Sequence, residues 1–228
     1  MAFLHISIFG TDSCRLLRPY GLLNGLLICV VNAWILFVTP ALSETKAILV
    51  MGDSLTAGYG LAETDSFPAQ LERSLSKLGR DVRIINSGVS GDTSAGGRAR
   101  LDWALAENPD AVILELGAND GLRGLDPRKT EANLGAMIRE IGKRKIPILL
   151  TGMRAPPNLG PEYEAEFNGL YRRLARRHKI LLYPFFLEGV AAIPSLNQAD
   201  AIHPNAEGVA EIVNRIRPII LQLIDEMR

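Results

Sequence analysis

Residues in four loops have the chemical character that acyl transfer needs. Ser54 stands in a glycine-rich turn directly after an apolar run, where a nucleophile can be exposed. Gly88 and Gly91 in a later turn let a backbone N–H approach a ligand closely, and Asn119 in the next offers a side-chain amide as a hydrogen-bond donor. His203 follows Asp200 by three residues, so the aspartate could orient the imidazole and stabilise its charged form. Together they supply a nucleophile, a base, an orienting acid and donors for an oxyanion.

Each of these segments, taken singly, also fits a structural role. The turn around Ser54 could cap a helix, because serine and aspartate are common N-cap residues. It matches neither the phosphate-binding pattern G-x-x-x-x-G-K-S/T nor the G-x-S-x-G turn of the larger α/β-hydrolases. Turn formation is the better interpretation of the Gly91 and Asn119 segments when each is considered alone. It is the combination that favours catalysis.

The other histidines are weaker candidates for a base. His5 lies in the N-terminal leader, and His178 lies in a basic stretch that predicts a solvated helix face. His203 stands apart from such runs, directly before a predicted helix. A histidine at this position, with an aspartate three residues earlier, can act as a proton acceptor.

Short apolar runs alternate with amphipathic stretches and predict the framework that positions these residues. We predict strands at residues 47–51, 82–85, 111–116, 146–150 and 180–183. We predict helices at residues 66–79, 94–106, 129–145 and 161–178, with a last helix running from just after His203 to the C-terminus. Continuous apolar strands that alternate with helices are typical of a parallel sheet covered on both faces. Function in such a sheet sits in the loops after the carboxyl ends of the strands.

Composition narrows the class of protein. Hydrophobic residues make up 47% of the 228 residues and charged residues 22%, enough to bury a full core. The formal net charge is zero and no stretch rich in lysine and arginine has the length and density of a nucleic-acid footprint, so we expect no nucleic-acid partner. The two cysteines, Cys14 and Cys29, lie near the N-terminus. Residues 44–228 therefore have no disulfide framework, cysteine nucleophile or thiolate zinc site.

Residues 1–43 are predicted to be a targeting segment. Residues 21–42 carry no charge, Arg15 and Arg18 precede them, and small residues allow a cleavage after Ser43. This pattern is typical of a secretory signal peptide, and the apolar run is also long enough to serve as an uncleaved membrane anchor. We therefore expect an exported protein with one folded domain at residues 44–228.

Four blocks of the sequence resemble, in order and spacing, those of the SGNH/GDSL hydrolases. They are Gly52-Asp53-Ser54-Leu55, Ser90-Gly91-Asp92-Thr93, Gly117-Ala118-Asn119-Asp120 and Asp200-x-x-His203-Pro204. The resemblance covers about residues 46–225 and is strongest to members described as thioesterase, arylesterase and lysophospholipase.

The resemblance implies a role for each candidate residue. Ser54 would attack the acyl carbon, His203 would take its proton and later activate water, and Asp200 would orient His203. The backbone N–H groups of Ser54 and Gly91 and the side chain of Asn119 would form the oxyanion hole.

The resemblance also implies the surroundings of the site. Gly121, Leu122 and Leu125 would border the acyl pocket. The fold would be a flavodoxin-like three-layer α/β/α sandwich, the SGNH hydrolase fold, with a five-stranded parallel sheet. No metal or cofactor would be needed, and the substrates would be small acyl esters or thioesters, including lysophospholipids. We expect a monomer that is periplasmic or secreted, with inner-membrane anchoring through residues 21–42 as the alternative.

Some features depart from the family pattern, and other functions remain open. Ala118 and Ala201 stand where glycine is common, which leaves the shapes of those loops uncertain. Glu115 lies inside an apolar strand and is interpreted as a paired structural carboxylate at the strand end. A deacetylase of acetylated carbohydrates would use the same triad. A non-catalytic flavodoxin-like binding domain or a silent membrane-tethered scaffold would not use it.

Overall fold

The computed structural model describes residues 45–227, and the predicted signal peptide or anchor at residues 1–43 lies outside the described residues. The strands are β1 (Lys46–Gly52), β2 (Val82–Gly88), β3 (Ala111–Glu115), β4 (Ile148–Thr151) and β5 (Leu181–Tyr183). The α-helices are α1 (Ser54–Ala57), α2 (Phe67–Ser76), α3 (Ser94–Ala99), α4 (Leu101–Leu105), α5 (Ala118–Leu122), α6 (Pro127–Lys143), α7 (Pro161–His178) and α8 (Ala206–Glu226). No helix among residues 45–227 is long and apolar enough to cross a membrane.

The five strands form one parallel sheet in the order β2-β1-β3-β4-β5. This is the flavodoxin-like strand order, and it confirms the predicted fold class. The register places Gly52, at the end of β1, beside Gly88 of β2 and Glu115 of β3. The three strands therefore end at the same edge of the sheet, and the loops that follow them meet there.

Both faces of the sheet are covered. All residues of β3, and all residues of β1 after Lys46, are buried. Since neighbouring residues of a strand point to opposite faces, continuous burial requires helices on both sides. Helix α2 packs against α8, and α6 packs against α3 and α7. Each fully buried aliphatic side chain contributes roughly 1.5–3 kcal/mol to folding, so the core holds the strand ends firmly.

The predicted helix at residues 94–106 is two helices, α3 and α4, joined at Arg100. The Arg100 guanidinium turns toward the strand ends, where it contacts Asp92, the Ser87 hydroxyl and the Gly52 carbonyl. Arg100 has φ −105° and ψ 7°, outside the helical range, so the helix is interrupted there.

The segment predicted to be a turn after β3 is instead the short helix α5. Gly117 precedes it with φ 117°, a conformation that favours glycine. The Gly121 N–H then donates to the Gly117 carbonyl at 3.0 Å. Turn-forming residues therefore make one helical turn here, and Asn119 lies in it.

Candidate active site

Ser54 begins helix α1 directly after β1. Asp53 caps this helix, since its Oδ1 accepts a hydrogen bond from the Leu55 N–H at 3.0 Å. Gly58 ends the helix in the left-handed conformation, with φ 82°, and its N–H donates to the Ser54 carbonyl. Because Asp53 is the cap, the Ser54 hydroxyl is left for other partners. Its side chain is half-buried and faces a cavity.

His203 lies between Ser54 and Asp200. Its Nε2 is 2.9 Å from Ser54 Oγ, and its Nδ1 is 2.7 Å from Asp200 Oδ2. Asp200 Oδ1 accepts the backbone N–H groups of His203 and Ile202, each at 3.0 Å. These hydrogen bonds, led by the one from the His203 N–H, hold the pKa of Asp200 down at about 2. Asp200 is therefore ionised at neutral pH and can accept a hydrogen bond from the Nδ1–H of His203, which leaves Nε2 facing Ser54 as an acceptor.

Tyr59 packs against the imidazole, a contact that the sequence did not reveal. The centroid of its ring lies 4.7 Å from that of His203, with the rings tilted by 38°. Gln198 fixes this part of the chain, because its Nε2 donates to the carbonyls of Tyr59 at 2.8 Å and Pro204 at 3.0 Å. The aromatic contact restricts rotation of the imidazole away from Ser54.

Asn119 connects the loops that follow the first three strands. Its Nδ2 donates to the Asp92 carbonyl at 2.9 Å and to Asp53 Oδ2 at 3.3 Å. Gly91 has φ 84°, and its carbonyl accepts a hydrogen bond from Arg123 Nη2 at 2.9 Å. Within residues 45–227, the N–H groups of Ser54 and Gly91 donate to no backbone carbonyl outside the regular elements. They are therefore available to a ligand.

Two fully buried carboxyl groups lie under the nucleophile turn. Burial raises the pKa of Asp53 to about 6, against the opposing effects of the Leu55 N–H, His203 and Asn119. Burial, and then the charge of Asp53, raise the pKa of Glu115 well above its usual range. Glu115 was expected to be a paired carboxylate. It contacts a hydroxyl and a backbone N–H of the turn rather than a cation.

A cavity of about 440 Å³ opens beside Ser54 and His203. Most of its lining residues are apolar. Eight of these apolar residues lie in the loops after β4 and β5: Met153, Ala155, Pro156, Pro157, Phe185, Leu187, Ala191 and Ala192. Leu122 lines it as predicted, and Asn119 also contributes. Gly121 and Leu125, the other two residues predicted to border an acyl pocket, are not among those that line this cavity. Gly121 packs against the Phe167 ring, and Leu125 is exposed.

The lining residues after β4 and β5 were missed, although a signal for them existed. They follow predicted strands at the same edge of the sheet as Ser54. Searching the loops after all five strands would have found them. Among residues 45–227, no group of three His, Cys, Asp or Glu side chains is arranged to hold a metal ion.

The sequence model of the GDSL-like Lipase/Acylhydrolase family matches residues 50–210. The chain belongs to this family. Within it, Esterase TesA of Pseudomonas aeruginosa is 39% identical over 203 residues, which cover 89% of this chain and 100% of that protein. Thioesterase 1/protease 1/lysophospholipase L1 of Escherichia coli strain K12 is 36% identical over 175 residues, covering 76% of this chain and 83% of that protein.

A solved structure agrees with the sequence match. AlinE4, an SGNH-hydrolase family esterase, is 49% identical and superimposes with a TM-score of 0.68, covering 80% of this chain and 98% of that one. The chain is thus a GDSL-type ester hydrolase with the SGNH fold.

In this GDSL hydrolase, hydrogen bonds connect the four sequence blocks. Asn119 of the third block bonds to Asp53 of the first and to the Asp92 carbonyl of the second. His203 of the fourth block reaches Ser54 of the first. The blocks are far apart in sequence, so the sheet edge is what brings them together.

Proposed function

We propose that this GDSL hydrolase cleaves acyl esters and thioesters through an acyl-enzyme on Ser54, with His203 as the base and Asp200 orienting it. The observation that carries the proposal is the continuous contact from Asp200 Oδ2 to His203 Nδ1 at 2.7 Å and from His203 Nε2 to Ser54 Oγ at 2.9 Å. Such a pairing of nucleophile, base and orienting acid is the arrangement that serine acyl transfer requires.

The reaction would run in two halves. Ser54 Oγ attacks the acyl carbon while His203 Nε2 takes the hydroxyl proton. The imidazolium then gives that proton to the departing alcohol or thiol, and the acyl group stays on Ser54. Water, losing a proton to Nε2, attacks the acyl-enzyme and releases the acid, and the proton returns to Ser54. Ionised Asp200 stabilises the imidazolium in both halves.

Three donors would stabilise the oxyanion. They are the N–H of Ser54, the N–H of Gly91 and Nδ2 of Asn119. The positive φ of Gly91 supports this assignment, because it leaves the loop N–H groups oriented before the reaction. Both hydrogens of the Asn119 amide are engaged, so the longer bond to Asp53 Oδ2, at 3.3 Å, would give way to the oxyanion while the bond to the Asp92 carbonyl holds the amide in place.

The substrate class follows from the cavity beside Ser54. Its apolar lining favours an acyl chain, and each methylene buried there contributes about 0.8 kcal/mol to binding. Relatives named as an esterase and as a thioesterase and lysophospholipase support esters, thioesters and lysophospholipids as substrates. An acetyl group, as in an acetylated carbohydrate, is too small to make use of this apolar lining.

The test is hydrolysis of p-nitrophenyl esters from acetate to palmitate, and of acyl-CoA thioesters, by the full chain. Ser54→Ala is assayed beside Ser76→Ala, an exposed serine that ends α2. We expect rates that rise beyond acetate, vanish in Ser54→Ala and persist in Ser76→Ala. Activity on acetate alone would indicate a carbohydrate deacetylase, and no activity on any ester would contradict the proposal.

For location, we propose that residues 1–43 export the chain to the periplasm or beyond the cell. The uncharged run at residues 21–42, preceded by Arg15 and Arg18, supports export. N-terminal sequencing of the protein recovered from fractionated cells tests it. A mature chain that begins at Glu44 indicates a cleaved signal, whereas an intact chain in the membrane fraction indicates an anchor. Intact chain in the cytosol would contradict export.

A further inference from the structure

Glu115 is a buried acid that the reaction scheme does not use. It ends β3, whose other residues are apolar, and its side chain has no exposed surface. Within residues 45–227, its Oε1 has no hydrogen-bond partner. An ionised carboxylate in such a place is costly, because burial without a cation disfavours the charge.

The other oxygen of Glu115 holds the nucleophile turn from both sides of Ser54. Oε2 accepts a hydrogen bond from Thr56 Oγ1 at 2.7 Å and from the Asp53 N–H at 3.3 Å. Gly52 makes room for this arrangement, because a Cβ there would collide with Thr56 Oγ1 and Glu115 Oε2. The carboxyl group thus supports the turn that presents Ser54.

The polar groups around the two buried acids favour a charge on Asp53 rather than on Glu115. Asp53 accepts hydrogen bonds from the Leu55 N–H and from Asn119 and interacts with His203. Glu115 receives none of these. The nearby Arg100 guanidinium is bound to Asp92 and to the Gly52 carbonyl.

The remaining titratable groups near the pair are an acid and a phenol. The Tyr171 hydroxyl donates to the Leu116 carbonyl, and the nearby charges of Glu115 and Asp53 contribute to the raised pKa of this phenol. Asp120 is engaged with Ser94 and Thr130. Neither supplies a positive charge to Glu115. The raised pKa of Glu115 agrees with a proton that stays on it at neutral pH.

We propose that Glu115 is a positioning residue for ester hydrolysis, which, as a neutral carboxylic acid, fixes the turn carrying Ser54 without placing a second negative charge beside Asp53. The inference rests on the proposed role of Ser54 as nucleophile. It assigns Glu115 no contact with the substrate, so its effect reaches the reaction through the geometry of Ser54 and His203.

Two variants of Glu115 in the full chain test the proposal, with wild type and Ser54→Ala in the same assay. Glu115→Gln keeps an acceptor oxygen and places an NH₂ where the acid would carry its proton. We expect kcat within about threefold of wild type, because one neutral hydrogen bond replaces another. Glu115→Leu removes the acceptor, and we expect kcat to fall about 10- to 100-fold with KM little changed, since small displacements of reacting groups cost that much.

A thermal measurement gives a readout that does not depend on activity. A carboxyl whose pKa is raised by folding destabilises the folded state increasingly as pH rises above its ordinary value of 4.5. Glu115→Gln lacks this penalty. We therefore expect its Tm to match that of wild type near pH 4 and to exceed it increasingly as the pH rises above about 5.

Thr56→Val keeps the proposal testable if Glu115→Leu fails to fold. It removes only the hydroxyl that donates to Glu115, and Thr151→Val, another fully buried threonine, is the control. We expect kcat to fall in Thr56→Val and to hold in Thr151→Val. The proposal is overturned if Glu115→Gln loses as much activity as Glu115→Leu. It is also overturned if Glu115→Leu folds and keeps full kcat, or if Thr56→Val keeps full kcat. Failure of the proposed function would show separately, as no hydrolysis by wild type or full hydrolysis by Ser54→Ala.

Discussion

Two aspartates of the active site lie in opposite environments. Asp200 lies in a surface loop, and its hydrogen bonds hold its pKa at about 2. Asp53 is buried under Ser54, and burial raises its pKa to about 6. The hydrogen bonds that Asp200 accepts come from within three residues, and Gln198 ties the loop to the Tyr59 carbonyl, whereas the turn of Asp53 depends on the ends of three strands. We therefore expect changes at Asp200 to affect folding less than changes to the turn of Asp53.

The largest expected effects come from substitutions that remove Ser54 from the buried turn or His203 from the surface loop. Ser54→Ala and His203→Ala should each lower kcat by about 10⁴- to 10⁶-fold, and the double variant should be no worse than either, because such residues act as a unit. Kinetics of the three variants, with Tm as a check on folding, would test this. Additive losses, or a single variant that retains a tenth of the wild-type rate, would mean that the two regions do not work together.

Asp200→Asn tests the exposed aspartate directly. We expect kcat to fall by up to about 10⁴-fold, because an asparagine favours the wrong tautomer of the imidazole. The change in Tm should be small, since Asp200 is partly exposed. Asp126→Asn is a matched control, as Asp126 also accepts the N–H two residues further on but lies at the start of α6. Equal activity of the two variants would remove Asp200 from the mechanism.

Asn119→Ala tests the link between the buried turn and the oxyanion site. Loss of one oxyanion donor should lower kcat about 10²- to 10³-fold and leave measurable activity. The same change removes hydrogen bonds to Asp53 and to the Asp92 carbonyl, so Tm should also fall. Asn133→Ala, which affects a partly buried asparagine of α6, is the control. A loss of Tm with unchanged kcat would mean that Asn119 only supports the turn.

The pH dependence of stability should have opposite signs for the two aspartates. The raised pKa of Asp53 costs stability as pH rises from about 4 to 6, so Asp53→Asn should gain Tm relative to wild type over that range. The lowered pKa of Asp200 contributes stability above about pH 4 that is lost toward pH 2, so the deficit of Asp200→Asn should disappear there. Thermal melts from pH 2 to 8 measure both. Parallel profiles would show that the two environments do not differ as described.

The same contrast explains what the sequence could and could not predict. Asp200 and His203 are three residues apart, so their contact is local and could be predicted from the sequence. The alternation of apolar runs and helices predicted a parallel sheet, and the flavodoxin-like arrangement came from the family resemblance. The roles of Glu115 and Thr56 were not predictable, because their contact joins positions on β3 and α1 and depends on the strand register. The break of the helix at Arg100 likewise depends on distant partners, Asp92 and the Gly52 carbonyl.

The smallest expected effect concerns Ala201, between Asp200 and Ile202. Its φ of 58° is left-handed, which costs a non-glycine residue about 1–2 kcal/mol, while a glycine there loses roughly 0.5–1 kcal/mol more backbone entropy on folding. The two effects partly offset each other and leave roughly 0–1.5 kcal/mol in favour of glycine, so Ala201→Gly should raise Tm by no more than about 6 °C. We expect unchanged kcat, because the hydrogen bonds that Asp200 accepts, rather than the alanine, set the loop. Ala192→Gly, with φ 62° outside this loop, is the control for the backbone effect. A fall of kcat in Ala201→Gly alone would mean that the restricted backbone of the alanine, and not only the hydrogen bonds accepted by Asp200, holds His203 in place.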